Sequence, residues 1–150
     1  MSRDHFVHTP GVWIGEGKLK LSAIPEELRF ITTWNVAAAD SEGNIACTQE
    51  VRIDGLTLST INKFSFRNQH GSHFLLDLET EALGKVGGKG FSNGDLLAWE
   101  LSVHDIGFAG FEVYEKVTSD SYKMRGEFAT GDQFRSEVTG HIQLQKRDRT

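Results

Sequence analysis

From Trp13 to the end of the chain, apolar and polar residues alternate with a period of two, and no long helical period interrupts them. The alternation breaks into about ten runs, near 11–22, 28–38, 44–54, 58–68, 72–80, 82–92, 95–105, 107–117, 121–130 and 132–146, and this predicts that many strands. The joints between runs carry turn chemistry. Asp40–Asn44 (DSEGN), Asn68–Ser72 (NQHGS), Ser92–Asp95 (SNGD) and Thr130–Asp132 (TGD) place Asn, Asp and Gly where a hairpin needs positive φ. Two glutamates follow Pro25 in AIPEELRF, which predicts one helical turn at most. Consecutive antiparallel strands with short connections predict an all-β meander. Closing it into a single up-and-down barrel removes the two exposed edges. A two-sheet sandwich has the same periodicity and stands as the alternative.

Taking the more apolar side of each run as inward gives a wall rich in aromatic residues. Trp13, Phe30, Trp34, Phe64 and Trp99 fall on that side together with the amides Gln49 and Asn62. These seven are the candidate ligand-binding residues: the aromatics supply buried area and the amides orient a polar group. Two interiors fit this wall. Small barrels can be filled by their own side chains, or the lumen can be open. Buried amides need partners, which are each other, a water or a ligand. The run GFAGFEVYEKV is ambiguous, with Phe108, Glu112 and Tyr114 on one side and Phe111 and Val113 on the other. An apolar outer side there implies a homodimer contact or cover from the N-terminal segment through Phe6 and Val7. Residues 1–10 are expected to be a flexible or edge-covering lead to a single barrel domain spanning 1–150.

The first run, GVWIGEGKLKL, carries three glycines, and glycine weakens a strand interior. Gly15 and Gly17 share the Trp13 side, so the strand can bend there without side chains colliding inside, as barrels require. A Gly-x-Trp on a first strand resembles the signature of the calycins, the lipocalin and fatty-acid-binding barrels. The longer GVWIGEG is similar to the Gly-x-Trp-x-Gly-x-Gly opening of nitrobindin-type haem barrels, at Gly11, Trp13, Gly15 and Gly17. After Gly17, KLKLS stands in place of their Tyr-Pro-containing segment. The resemblance implies a calycin-like barrel that holds a small, mostly apolar molecule. In its haem branch it implies an iron-ligating histidine on the last strand, which here is His141. Alternation sets His141 on the outer side with Arg135, Glu137 and Thr139, so a haem cofactor requires a bulge, for instance at Gly140. Some calycin-like barrels are isomerases or decarboxylases. That reading requires Glu112 or Tyr114 in the lumen beside Arg125 or Arg135.

A chain of 150 residues suits one domain and buries roughly two-thirds of its unfolded surface without staples. The net charge of −5, with no Lys/Arg cluster beyond Lys146–Arg149, argues against nucleic acid and anionic membrane surfaces as partners. Cys47 is the only cysteine, so no intramolecular disulfide forms. The first ten residues lack the apolar stretch of a signal peptide, and no apolar run is long enough to span a membrane. A cytoplasmic location is predicted. His5, His8, His70 and His73 do not converge as metal ligands. Asp77, Glu79 and Glu81 alternate with Leu76 and Leu78 as a solvated face. Gly84–Gly90 (GKVGGKG) lacks the Gly-Lys-Ser/Thr of a phosphate loop and reads as a bent strand. No nucleophile motif is present, so no catalytic residue is assigned and binding is favoured over catalysis. A filled barrel acting through protein contacts is the remaining alternative.

Overall fold

Period-two alternation gives each strand one buried and one solvated face, and that pattern sets the architecture. The computed structural model describes residues 5–57, 59–131 and 134–145. Its strands are β1 (Gly11–Leu21), β2 (Glu27–Val36), β3 (Ile45–Ile53), β4 (Ser59–His70), β5 (His73–Thr80), β6 (Gly84–Asn93), β7 (Leu96–Val103), β8 (Phe108–Thr118), β9 (Ser121–Thr130) and β10 (Phe134–Leu144). Each pairs antiparallel with its neighbours in sequence, and β1 pairs with β10, closing a ten-stranded up-and-down barrel. The sandwich alternative is overturned, because the ladder has no free edge. The expected run starts at 58 and 132 and the tail Lys146–Arg149 fall outside the described residues.

β5 shows the pattern in its simplest form: Phe74, Leu76, Leu78 and Thr80 are buried while His73, Leu75, Asp77 and Glu79 are exposed. The hairpin at Gly94 turns with φ of 59°, a conformation that glycine adopts without steric cost. No helical turn forms behind Pro25. Glu27 already pairs with Lys20, and the ladder leaves too few residues to nucleate one.

The glycines of β1 serve closure. Gly17 lies opposite Gly140 across the β1–β10 seam. A Cβ on Gly17 would overlap the Thr139 carbonyl oxygen and come within 2.8 Å of Gly140 Cα and Phe30 Cζ. One on Gly15 would come within 2.7 Å of Ile142 Cγ2. Bare backbone at these points lets the first and last strands approach where the wall curves.

Residues 5–10 do not cover an edge, since a closed barrel has none. A short 3-10 helix, Phe6–His8, instead enters one end of the barrel, with His5, Phe6 and Val7 buried. The Phe6 ring meets those of Trp13, Trp34, Tyr114 and Tyr122 at centroid distances of 4.9–5.7 Å. Its driving force is the burial of one large aromatic in a ring of others. Residues 1–4 lie outside the described residues.

Candidate functional site

The register decides how high each inward side chain sits. Trp13 pairs with Trp34, Trp34 with Gln49, Gln49 with Asn62 and Asn62 with Thr80, so these five form one row around half the wall. The row begins at the plugged end and climbs. Trp13, Phe64 and Trp99 therefore pack into a solid aromatic floor, where Trp99 meets Phe64 at 5.8 Å, Phe66 at 5.4 Å and Tyr114 at 5.1 Å. Trp13 Nε1 donates to the Thr9 carbonyl at 3.2 Å, which ties the floor to the plug.

Above this floor lies a cavity of about 180 Å³. Phe30, Trp34, Met124 and Ile142 give it apolar walls, and Thr32, Gln49, Asn62, Glu112 and Tyr114 give it polar atoms. Inward Leu19, Val51, Phe128 and Val138 are only half-buried, which marks the end where the lumen meets solvent. Of the seven candidate residues, Phe30, Trp34, Gln49 and Asn62 line the cavity, while Trp13, Phe64 and Trp99 lie beneath it. Both interiors considered from the sequence thus occur, one above the other.

The two amides answer each other in part. Asn62 Nδ2 donates to Gln49 Oε1 at 2.8 Å. That bond uses one donor and one acceptor; the Gln49 amino group and the Asn62 carbonyl make no further side-chain bond among the described residues.

Glu112, named from the sequence only for an isomerase or decarboxylase, was missed as a ligand-binding residue. It is 8% exposed and points inward from β8, beside Trp99 on β7 and Gly126 on β9. Burial pushes its carboxyl up to about 7, an effect that the nearby Trp99 indole and Tyr114 hydroxyl partly oppose. Trp99 Nε1 nonetheless makes no hydrogen bond, so its effect is that of an N–H dipole close by rather than of a bond made. Burial and the Glu112 charge push the Tyr114 hydroxyl well above its ordinary range. The sequence signal was the shared parity of Glu112 with Phe108 and Tyr114, masked by Phe111 and Val113 on the other side.

The Cys47 thiol is buried and pushed up to about 12, so it is not a nucleophile at neutral pH. Arg125 and Arg135, the cations that an isomerase or decarboxylase reading needs in the lumen, are exposed on the outer wall. Arg125 lies over the Phe111 ring at 5.7 Å. The haem alternative also fails its fit. β10 runs against β1 without a bulge at Gly140, and His141 points outward with Nε2 3.7 Å from Glu16 Oε1. The cavity is smaller than the roughly 300–1,000 Å³ that drug-sized ligands occupy, and a haem macrocycle is larger than most of those. Among the described residues, no group of three or more His, Cys, Asp or Glu is placed to hold a metal.

A second concavity, open and of about 850 Å³, lies on the outer wall. Leu75, Phe91, Leu96, Phe111 and Val113 line it. Phe6 and Val7 do not cover it, because they are inside the barrel. No helix among the described residues is long and apolar enough to cross a membrane.

No protein-family profile matches the sequence, and no curated protein is significantly similar to it. Solved structures do match. The S-type phycobiliprotein lyase CPES from Guillardia theta superposes with a TM-score of 0.74 at 14% identity, over 99% of this chain and 95% of that one. The protein EF1p2_mFAP2b, solved bound to DFHBI, superposes with a TM-score of 0.54 at 12% identity, over 97% of this chain and 99% of that one. At these identities the likeness shows the fold alone, a closed β-barrel over nearly the whole chain.

Proposed function

We propose that this chain is a binding protein for one small, mostly apolar molecule held in the barrel lumen. The observation that carries the reading is the cavity of about 180 Å³ between the aromatic floor and the open end, with Phe30 and Trp34 against an amide pair. An apolar protein cavity of about 150 Å³ takes up benzene, so a molecule of about one ring fits without rearrangement. Of the two structural neighbours, one is named a phycobiliprotein lyase and the other was solved bound to DFHBI. The acidic, disulfide-free chain suits a cytoplasmic setting.

A one-ring ligand that buries roughly 200 Å² at about 25 cal/mol per Å² gains about 5 kcal/mol. That corresponds to a Kd of about 0.1–1 mM. Toluene is a suitable probe, with Trp34 fluorescence as the readout, alongside native mass spectrometry of protein purified from cells. Saturable quenching or enhancement with a submillimolar to millimolar midpoint is expected. Absence of saturation, together with bare protein in the mass spectrum, would overturn the reading and leave a barrel whose function lies on its outer surface.

A further inference from the structure

Four observations bear on what polar group the lumen ligand carries. First, Glu112 lines the cavity and is 8% exposed. Second, its cross-strand partner is Gly126, where a Cβ would meet the Phe111 carbonyl oxygen at 2.8 Å and Glu112 Cγ at 3.2 Å, so the bare backbone there leaves the Glu112 stem uncrowded. Third, no lysine or arginine lines the cavity, and the one histidine that borders it, His141, turns its imidazole to Glu16 on the outer face. Fourth, β3 and β8 stand five places apart in a ring of ten strands. The Gln49–Asn62 pair on β3 and β4 therefore faces the Glu112 side across the lumen, and it is neutral.

We propose that Glu112 is the recognition group of the lumen, and that the ligand is an aromatic ring bearing an N–H donor, cationic or neutral, with carboxylates rejected. The proposal rests on the reading of the lumen as a ligand site. Its chemistry is direct. A carboxylate is an acceptor only, so it selects a donor. Its hydrogen bond to a charged N–H is stronger than one between neutral groups. A ligand carboxylate would meet a like charge in a water-poor site with no cation to relieve it. Opposite Glu112, the Asn62 carbonyl and the Gln49 amino group offer a second, neutral contact to the far edge of the ring.

The carboxyl of Glu112, raised to about 7 by burial, also makes cation binding pH-dependent. The other titratable groups around the cavity are placed differently. Tyr114 and Cys47 are pushed upward by burial. His141 borders the cavity but turns its imidazole outward beside Glu16, and His5 packs on Tyr122 at the plugged end. On the adjoining strands Glu100, Arg125 and Glu127 are exposed on the outer face.

The test uses four one-ring probes: toluene, benzamide, benzamidine and benzoate, titrated calorimetrically into the intact protein and into Glu112→Gln at pH 8. Wild type is expected to bind benzamide and benzamidine, and benzoate at least about tenfold more weakly. Glu112→Gln should lose about tenfold for benzamidine and change little for toluene. A second measurement stands without the variant: benzamidine affinity for wild type should fall at least about tenfold from pH 8 to pH 5, with toluene affinity constant. Toluene binding with benzoate bound as well as benzamidine, or with benzamidine affinity flat across pH, would overturn the Glu112 proposal and leave the binding reading standing. Failure of every probe would overturn both.

Discussion

Replacing Gly17 by alanine adds one methyl group at the seam where the barrel closes. The new Cβ would overlap the Thr139 carbonyl oxygen and lie 2.8 Å from Gly140 Cα and from Phe30 Cζ. Two of those three neighbours are backbone, so rotamer changes cannot relieve them; β1 and β10 must move apart. Overpacking of this kind costs about 1–3 kcal/mol, and each weakened seam hydrogen bond adds up to about 1 kcal/mol. Against this, alanine restricts the unfolded chain and returns about 0.4–1 kcal/mol. The balance is a loss of about 2 kcal/mol. Gly87→Ala is the control, because a Cβ there meets nothing within 4 Å; it should change stability by under about 0.5 kcal/mol. Urea unfolding followed by tryptophan fluorescence measures both, with an unchanged m-value expected. If Gly17→Ala is as stable as wild type, or no less stable than Gly87→Ala, the argument that the first-strand glycines exist for closure is wrong.

Trp13→Ala removes a fully buried ring tied to the plug and should cost roughly 3–5 kcal/mol in denaturant unfolding; a cost below about 1 kcal/mol would place that ring outside the core. Phe6→Ala empties the centre of the aromatic floor and should cost about 3 kcal/mol, whereas a neutral result would show that the 3-10 plug does not contribute to the core. Glu112 titrates near 7 when folded and near 4.5 ordinarily, so between those values the folded chain holds the extra proton and stability falls as pH rises. Glu112→Gln should remove a slope totalling about 3 kcal/mol between pH 4.5 and 7, read as the difference between the two proteins' unfolding free energies; parallel curves would refute the raised pKa.

The strands were legible because a half-buried strand alternates with period two, and here nearly every strand does. The run expected at 72–80 is β5, His73–Thr80, and that at 121–130 is β9, Ser121–Thr130. Turn glycines were legible because positive φ selects them. The plug was not. Three residues carry no period, and adjacent Phe6 and Val7 read equally well as cover for an outer face. Parity showed that Trp34 and Trp99 point inward but not how high each sits, since height depends on the register between strands. So floor and cavity residues could not be separated, and Trp99 was grouped with Gln49 although it packs beneath the cavity. His141 shows alternation succeeding where the family resemblance misleads: its parity already set it outside, and the ladder has no bulge to turn it.

Folding alone gives no reason to keep a carboxyl at position 112. An inward Glu with no basic partner lowers stability as it ionises, and an apolar side chain of similar size in a buried ionic position is often neutral or stabilising. The Gln49–Asn62 pair makes one internal hydrogen bond, through one of its two amino groups and one of its two carbonyls. Glu112 and the amide pair gather around one cavity, above the aromatic floor. Local rules of folding are broken where function requires it, and a chain that only had to close a stable barrel could have extended its floor upward with Leu and Phe. The polar defects and the empty volume share a location, and a ligand that fills the volume and donates to Glu112 removes both costs at once.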